Sequence, residues 1–261
     1  MKIMKLFALL PALVLAGCSD STMGSVSFAL TSRTAAAPLP AAAFSASVIA
    51  PSVAAAGDST VIALGNDTVI VRSAQLVLKK VELKRADVAA CDAVVANGDC
   101  EEFETGATLV SLPLGSTAMA PQVAVSGPPG MYDKLEFQIH KPGSNDDATF
   151  IGAHPDFATI SIRVSGTYSQ AGSRSGFTFT SDVDQGQEST LVPAVTVQEG
   201  GTLNVTLRVD IATWFLNSAK TALVSPATAN KGQPNESVVA NNIQNSFKAF
   251  EDDNHDGLED H

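Results

Sequence analysis

Basic residues are scarce in this chain, and it has no apolar run long enough to cross a bilayer. Its 261 residues include 16 Lys and Arg against 27 Asp and Glu, a formal charge of −11 at pH 7. Such a field repels phosphate backbones, so nucleic acid is not an expected partner. A membrane-spanning helix needs about 20 apolar residues, and the apolar run at residues 6–16 is too short for that role.

Residues that commonly carry catalysis are also few. The sequence shows no Cys-x-x-Cys pair, zinc-ligand cluster or phosphate-binding glycine loop. Residues 172–176 are similar to a nucleophile elbow, but Arg174 stands where serine is required. His140 is expected to point outward from a strand and His154 to lie in a loop without a catalytic partner. The sequence therefore favours a protein that is not an enzyme.

The N-terminal residues give the strongest indication of the protein's cellular location. Lys2 and Lys5 precede the apolar run, as in the charged and hydrophobic regions of a secretion signal. The residues Leu-Ala-Gly before Cys18 resemble the lipobox of bacterial lipoproteins. That resemblance implies cleavage after residue 17 and attachment of a diacylglycerol and acyl chains to Cys18. The alternative is an ordinary cleaved signal followed by a chance cysteine.

Removal of residues 1–17 changes the charge balance and leaves the lipid as the only anchor. The segment contains two lysines and no acid, so the mature chain has 14 basic and 27 acidic residues and a charge of −13. Without a basic patch, membrane attachment rests on the acyl chains. Ser19 rather than Asp follows Cys18, which resembles the Gram-negative pattern sorted to the outer membrane, although Asp20 is close.

Cys91 and Cys100 remain as a pair once Cys18 is assigned to lipid. Export places them in an oxidising compartment, where neighbouring cysteines are usually bridged. The enclosed segment contains Asn97-Gly98, which lets the chain turn back. We expect a structural disulfide that contributes about 2–3 kcal/mol at most.

Alternation of apolar and polar residues predicts an all-β domain. One apolar face per strand requires each sheet to pack that face against another layer. Many short strands and few helical patterns favour an antiparallel β-sandwich with one C-terminal amphipathic helix. The predicted organisation is a signal peptide at 1–17, a lipidated tether at 18–24, a first strand at 25–33, an Ala- and Pro-rich loop or linker at 34–57, the sandwich domain at 58–233, and the helix with an acidic loop at 234–261.

Two local patterns within the sandwich predict specific backbone features. Residues 60–64 and 68–72 flank Gly65-Asn66-Asp67, a hairpin signature. In residues 75–84 the apolar positions shift parity between Leu78 and Val81. A β-bulge at Lys79-Lys80 would return both groups to one face. Alternation also predicts strands near 107–114, 134–140, 160–164, 177–179 and 203–211.

The C-terminal region combines a helical stripe with an aromatic pair upstream. From Pro234 onward, Val239, Ile243, Phe247 and Phe250 recur at helical spacing. We expect this helix to cover the sandwich rather than to bind a partner. Trp214-Phe215 is expected to be buried, with an exposed sugar-stacking platform as the alternative.

The order of features resembles a broad group of uncharacterised bacterial lipoproteins. The resemblance covers roughly residues 25–215 and rests on the strand at 76–83, the strand at 109–112, Gly130-Met131-Tyr132 and Val209-Asp210-Ile211. It implies a transthyretin-like or immunoglobulin-like sandwich and carries over no catalytic residues.

The acidic tail resembles the calcium loops of EF-hands and thrombospondin type 3 repeats. Its pattern supplies oxygen ligands from Asp252, Asn254 and Asp256, a backbone carbonyl from Leu258, and Asp260 at position 9. No glutamate follows at position 12, so a site here would bind Ca²⁺ weakly, with Kd about 10⁻⁴–10⁻³ M. The alternative is a frayed acidic tail without metal.

Three hypotheses of function follow from these features. The leading one is a lipid-anchored envelope protein that acts as a non-catalytic binding or structural module. The second is an adhesin that recognises a glycan or an envelope protein through loops such as 141–158 and 216–234. The third is a hydrolase, which would need His154 beside a serine and a carboxylate.

Overall fold

Twelve strands and two short helices form in the parts of the chain that the computed structural model describes. These parts are residues 24–32, 52–55, 58–86, 105–115, 119–143, 145, 147–254 and 259. The strands are β1 Gly24–Thr31, β2 Ser52–Ala55, β3 Thr60–Leu64, β4 Asp67–Arg85, β5 Thr108–Ser111, β6 Met119–Gly127, β7 Gly130–Ile139, β8 Ile162–Gln170, β9 Ser173–Ser181, β10 Gln185–Val197, β11 Thr202–Val209 and β12 Phe247–Glu251. The helices are α1 Ala148–Ala153 and α2 Glu236–Gln244, with 3-10 turns at Pro155–Phe157, Ile211–Thr213 and Pro226–Ala229.

The strands form two sheets, which confirms the predicted all-β sandwich with a small helix. The smaller sheet has the order β12-β11-β1-β6. The larger one has eight strands along the path β10-β7-β4-β3-β2, with β5 and β8 also paired to β4 and β9 paired to β8. All pairs are antiparallel except β1 with β11, which run parallel from Ser25↔Thr202 to Thr31↔Arg208.

β1 is an interior strand, held between β11 and β6. Its apolar residues Val26, Phe28 and Leu30 are buried in the main core. The sandwich therefore includes the first strand, which lies outside the segment 58–233 that the sequence indicated. β2 likewise places regular structure at Ser52–Ala55, within the segment predicted to be a loop or linker.

The 19-residue strand β4 is the spine of the larger sheet. Along one edge it pairs first with β3 and then with β5. Along the other edge it pairs with β8 up to Leu76 and with β7 from Leu78 onward. The predicted hairpin at Gly65-Asn66 joins β3 to β4.

The predicted bulge in β4 is confirmed. The β4–β7 register shifts between Lys79 and Glu82, and Lys80 has a φ of 55°. Thr105 satisfies the bulged backbone, because its carbonyl accepts from Lys80 N–H and its hydroxyl from Val81 N–H. Leu78 and Val81 are both buried in the main core on either side of the bulge.

The core between the sheets is continuous and rich in aromatic contacts. Phe137 of β7 meets Phe247 of β12 edge to face at 5.3 Å between ring centroids. Trp214 and Phe215 are fully buried, as predicted, with Phe215 against Phe179 at 5.4 Å. The indole N–H of Trp214 donates to Ser246 Oγ at 2.8 Å, which satisfies the polar edge of the ring.

The predicted C-terminal helix forms, but it ends before the last two residues of the apolar stripe that predicted it. Val239 and Ile243 are buried on α2 as expected. The helix ends at Gln244, and the chain then enters β12, which pairs with β11 from Phe247↔Val209 to Glu251↔Val205. The prediction that Phe247 and Phe250 extend the helix is wrong, because backbone pairing with β11 draws both into a strand. No helix in the described ranges has the length and hydropathy of a membrane span.

Candidate functional site

Helix α1 and the 3-10 turn at Pro155–Phe157 cover the outer face of the larger sheet. They lie where the pairing partner along one edge of β4 changes from β8 to β7. Val77 lies at this fork, donating its N–H to Ser161 O and accepting from His140 N–H. Its side chain forms a small apolar cluster with Phe150 of α1 and Phe157. Leu76 and Leu78 face the main core instead. The described residues between 141 and 160 are therefore packed against the sheet rather than extended as a free loop.

A buried polar cluster fixes this segment to the sheet. His140 Nε2 lies 2.8 Å from Asp147 Oδ2, which also accepts from Gly143 N–H at 2.9 Å. The ammonium of Lys79, next to the β4 bulge, is 3.2 Å from Asp147 Oδ1. The Asp147 side chain is only 3% exposed. Three donors thus converge on one buried carboxylate.

The electrostatic balance at Asp147 favours the ionised form. Burial by itself raises the pKa of this carboxyl, since it penalises the charged form. The hydrogen bonds from Gly143, His140 and Lys79 outweigh burial and lower the pKa from 3.8 to about 2. Asp147 is therefore a carboxylate at neutral pH, and His140 Nε2 carries the proton that it donates.

The prediction that His140 points outward is wrong. β7 ends at Ile139, so the in–out alternation no longer governs the next residue, and the His140 ring turns inward to Asp147. His140 Nδ1 is buried and has no hydrogen-bond partner among the described residues. The carboxylate of Asp184 lies 3.6 Å from it, beyond hydrogen-bond range.

A cleft of about 560 Å³ opens beside the cluster. Its lining includes Lys79, Asn145, Asp147, Thr149 and His154. His154 lies at the end of α1 as a half-buried residue, with its ring 4.9 Å from that of Phe150. The cleft offers amide, hydroxyl, imidazole and charged groups within the 141–158 segment, a composition suited to hydrogen-bonding a polar ligand.

Most of the site residues predicted from the sequence lie outside the described ranges. These are the lipidation residue Cys18, the disulfide pair Cys91 and Cys100, and the calcium ligands Asp256, Leu258 and Asp260. The lipid anchor, the disulfide and the calcium site therefore stay predictions.

Two predicted calcium ligands can be located. Asp252 is fully buried, with Oδ2 accepting from Thr206 Oγ1 at 2.8 Å and N–H donating to Asn204 O at 3.2 Å. These bonds fasten the end of β12 to β11. Asn254 is exposed beyond it. Within the ranges that the structure describes, no three His, Cys, Asp or Glu side chains are grouped to hold a metal.

The sequence pattern did not identify the Lys79–His140–Asp147 cluster. Lys79 and Asp147 are 68 positions apart, and no local motif links them. The usable signal was the bulge at Lys79-Lys80, because bulges commonly redirect a side chain near a functional site.

Comparison with known proteins provides no relative. No protein-family model matches the chain, and searches of curated proteins and of solved structures return no significant match.

Proposed function

We propose that this protein is a lipid-anchored cell-envelope lipoprotein whose β-sandwich acts as a non-catalytic binding or structural module. The observation that carries the proposal is the lipobox-like sequence Leu15-Ala16-Gly17-Cys18, which stands only a few positions before an interior strand in the sequence. Only residues 19–23 separate that cysteine from β1, which lies between β6 and β11. The six residue steps from Cys18 to Gly24 span at most about 22 Å, so acyl chains on Cys18 would hold the sandwich itself against a membrane surface.

The non-catalytic part of the proposal draws on the polar cluster. The protonated nitrogen of His140 is committed to Asp147, and its other nitrogen is enclosed. Asp147 is in turn occupied by Lys79 and Gly143. General acid–base catalysis requires a group within hydrogen-bond reach of the substrate. These contacts instead favour a role in holding the 141–158 segment.

Metabolic labelling with palmitate tests the anchor. We expect the wild-type chain expressed in a bacterial host to incorporate label and Cys18→Ser to incorporate none. The double variant Cys91→Ser/Cys100→Ser is the matched control, since it removes the other two thiols and should label normally. Equal labelling of wild type and Cys18→Ser would contradict the proposal.

The cleft favours a second candidate, recognition of a glycan or an envelope protein. Most of its polar lining residues come from the 141–158 segment, with Lys79 added from β4, and Thr149 and His154 lie on its wall. A glycan array probed with the purified chain, with and without calcium, tests this role. We expect any specific signal to fall in Thr149→Ala/His154→Ala and to persist in Ser173→Ala, on a distant hairpin. Absence of signal above background would remove glycan recognition as the role of the cleft.

A further inference from the structure

One end of the sandwich contains the start of β1, and several neighbouring elements meet there. Gly24 pairs with Gly127 at the end of β6. A Cβ on Gly24 would overlap the side chain of Val197 at the end of β10. Val197 pairs in turn with Gly130, the first residue of β7. We call this the β1 end, defined by Gly24, the turn 127–130 and Val197.

The β1 end and its adjoining edge carry unusual exposed apolar side chains. Among the described residues, the two exposed large hydrophobic side chains are Met131, at 46%, and Val192, at 68%. Met131 directly follows the turn Gly127-Pro128-Pro129-Gly130. In the other described ranges, apart from 52–55 and 119–127, large apolar side chains are buried or partly buried, so this pair requires an explanation.

Met131 and Val192 lie on neighbouring strands. Thr196 of β10 pairs with Met131 of β7, and the β7–β10 register is interrupted between Thr190 and Val195. Val192 lies in that interruption, between the residues of β10 that pair with Lys134 and Tyr132. These two β7 residues are three positions and one position from Met131, so the interruption lies within about 10 Å of Met131 along the strand. The two apolar side chains therefore belong to one local surface, which we call the Met131–Val192 patch.

The sequence position of Cys18 indicates what this patch meets. Cys18 precedes Gly24 by six residues, which span at most about 22 Å, so a lipid on Cys18 would hold the β1 end close to the bilayer. The opposite end of β4, at Asp67, is about 60 Å away along the strand contour. Of the two ends of the spine, only the one bearing Met131 lies within reach of the membrane under this tether.

Two alternatives to a bilayer are weaker. A second copy adding to the exposed edge of β10 would need an uninterrupted strand. The break in register and Pro193, which has no N–H to donate, both oppose such pairing. Protection of the sheet edge against pairing explains the register interruption in β10. It does not explain why the exposed residue in that interruption is a valine.

Charge near the patch argues for an apolar contact rather than attraction to anionic lipid. Glu82, Glu136 and Glu188 are directly opposite one another across β4, β7 and β10. Lys84 lies 2.9 Å from Glu82, and Lys134 lies 3.1 Å from Glu188. This row begins five residues from Met131 along β7, about 16 Å away, and it gives the adjoining face no net basic character.

We propose that the Met131–Val192 patch contacts the lipid bilayer to which Cys18 is anchored, entering the interfacial region and orienting the sandwich with the 65–66 and 171–172 turns away from the membrane. This inference rests on the proposed lipid anchor. Exposed apolar side chains enter the headgroup boundary favourably, and each adds to the attachment supplied by the acyl chains.

Tryptophan quenching by brominated lipid tests the contact in the full lipidated chain. The native Trp214 is fully buried and serves as an internal reference. Met131→Trp and Val192→Trp place a reporter on the patch. Ser173→Trp, on the exposed β8–β9 hairpin, is the matched control at the far end. Each variant is reconstituted in zwitterionic vesicles with bromines at defined acyl positions, and its thermal melting is compared with wild type.

We expect bromines near the headgroups to quench Met131→Trp or Val192→Trp at least twofold more than Ser173→Trp, with Trp214 unaffected. The two patch variants are independent, so misfolding of one leaves the other informative. Equal quenching at residues 131, 192 and 173 in vesicle-bound protein would overturn the bilayer contact alone. Failure of the wild-type chain to bind vesicles would overturn the anchor and this inference together. Equal quenching with dimers that Val192→Ser dissociates would assign the patch to a second copy instead.

Discussion

His140 Nε2 donates to Asp147 Oδ2 at 2.8 Å, and this bond joins the end of β7 to the segment that covers the sheet fork. Asp147 Oδ1 also accepts a hydrogen bond from the ammonium of Lys79, next to the β4 bulge, at 3.2 Å. One carboxylate thus connects a strand end, a bulge and the segment carrying α1.

Asp147→Asn is expected to lower the free energy of unfolding by about 2 kcal/mol at pH 7. The pKa of Asp147 falls from 3.8 to about 2 on folding, and one pKa unit corresponds to about 1.4 kcal/mol. A lowered folded-state pKa gives stability above pH 4 that is lost as the pH falls toward 2. Urea unfolding across this range should show the difference between wild type and variant shrinking at low pH.

The control for this prediction is Asp156→Asn. Asp156 is 76% exposed and pairs with Arg163 at 3.3 Å, so its removal should change stability by no more than about 0.5 kcal/mol. A similar loss for both variants, or a loss at Asp147 that does not depend on pH, would contradict the assigned role.

Tyr168→Phe is expected to leave stability unchanged or to raise it by up to about 1 kcal/mol. The Tyr168 hydroxyl is buried and has no hydrogen-bond partner among the described residues, and burial raises its pKa. Removing a buried hydroxyl that makes no hydrogen bond breaks none, so the folded state loses no stabilising interaction. Tyr132→Phe is the matched comparison, because its hydroxyl donates to Pro128 O at 2.7 Å and its loss should cost about 1 kcal/mol. Chemical denaturation compares the pair, and the reverse order would contradict the assignment.

Gly166→Ala is expected to cost several kcal/mol, at the destabilising extreme for a single substitution. A Cβ on Gly166 would overlap the carbonyl oxygen of Ile70, so β8 could not approach β4. In Gly176→Ala, the added Cβ would meet only Gly166 O at 3.9 Å, an ordinary contact. Thermal melting should separate the two variants clearly. Equal melting temperatures would mean that β8 does not pair with β4 as described.

The sequence predicts strands wherever buried and exposed residues alternate along the chain. The parity shift between Leu78 and Val81 was enough to predict the bulge, because a bulge is the local way to restore one buried face. Tertiary pairing was not readable in the same way. Ile243 and Phe247 satisfy helical spacing, yet Phe247 belongs to a strand, since its backbone partner Val209 is 38 positions away.

The candidate site was still less accessible to sequence reasoning. The alternating pattern of β7, when it is extended by one residue, places His140 on the outward face and predicts that its side chain is solvated. Its actual position depends on Asp147 and Val77, neither of which any local period connects to it. The parallel pairing of β1 with β11 is similarly a long-range choice, made by burial of Val26 and Phe28 in the common core.

Calcium is expected to stabilise the chain weakly through the acidic tail. With a Kd near 10⁻³ M, a tenfold excess of free calcium would add about 1.4 kcal/mol to the free energy of unfolding. A metal titration followed by thermal melting measures this gain, which Asp256→Asn should abolish. An identical response of wild type and Asp256→Asn would place any calcium effect outside the predicted loop.

Mass spectrometry of the chain extracted from bacterial membranes measures whether Cys18 begins the mature protein and carries lipid. We expect an N-terminal peptide that starts at Cys18 and carries the added mass of a diacylglyceryl group, with or without an N-linked acyl chain. An unmodified Cys18, or a mature chain that starts at any other residue, would contradict this expectation.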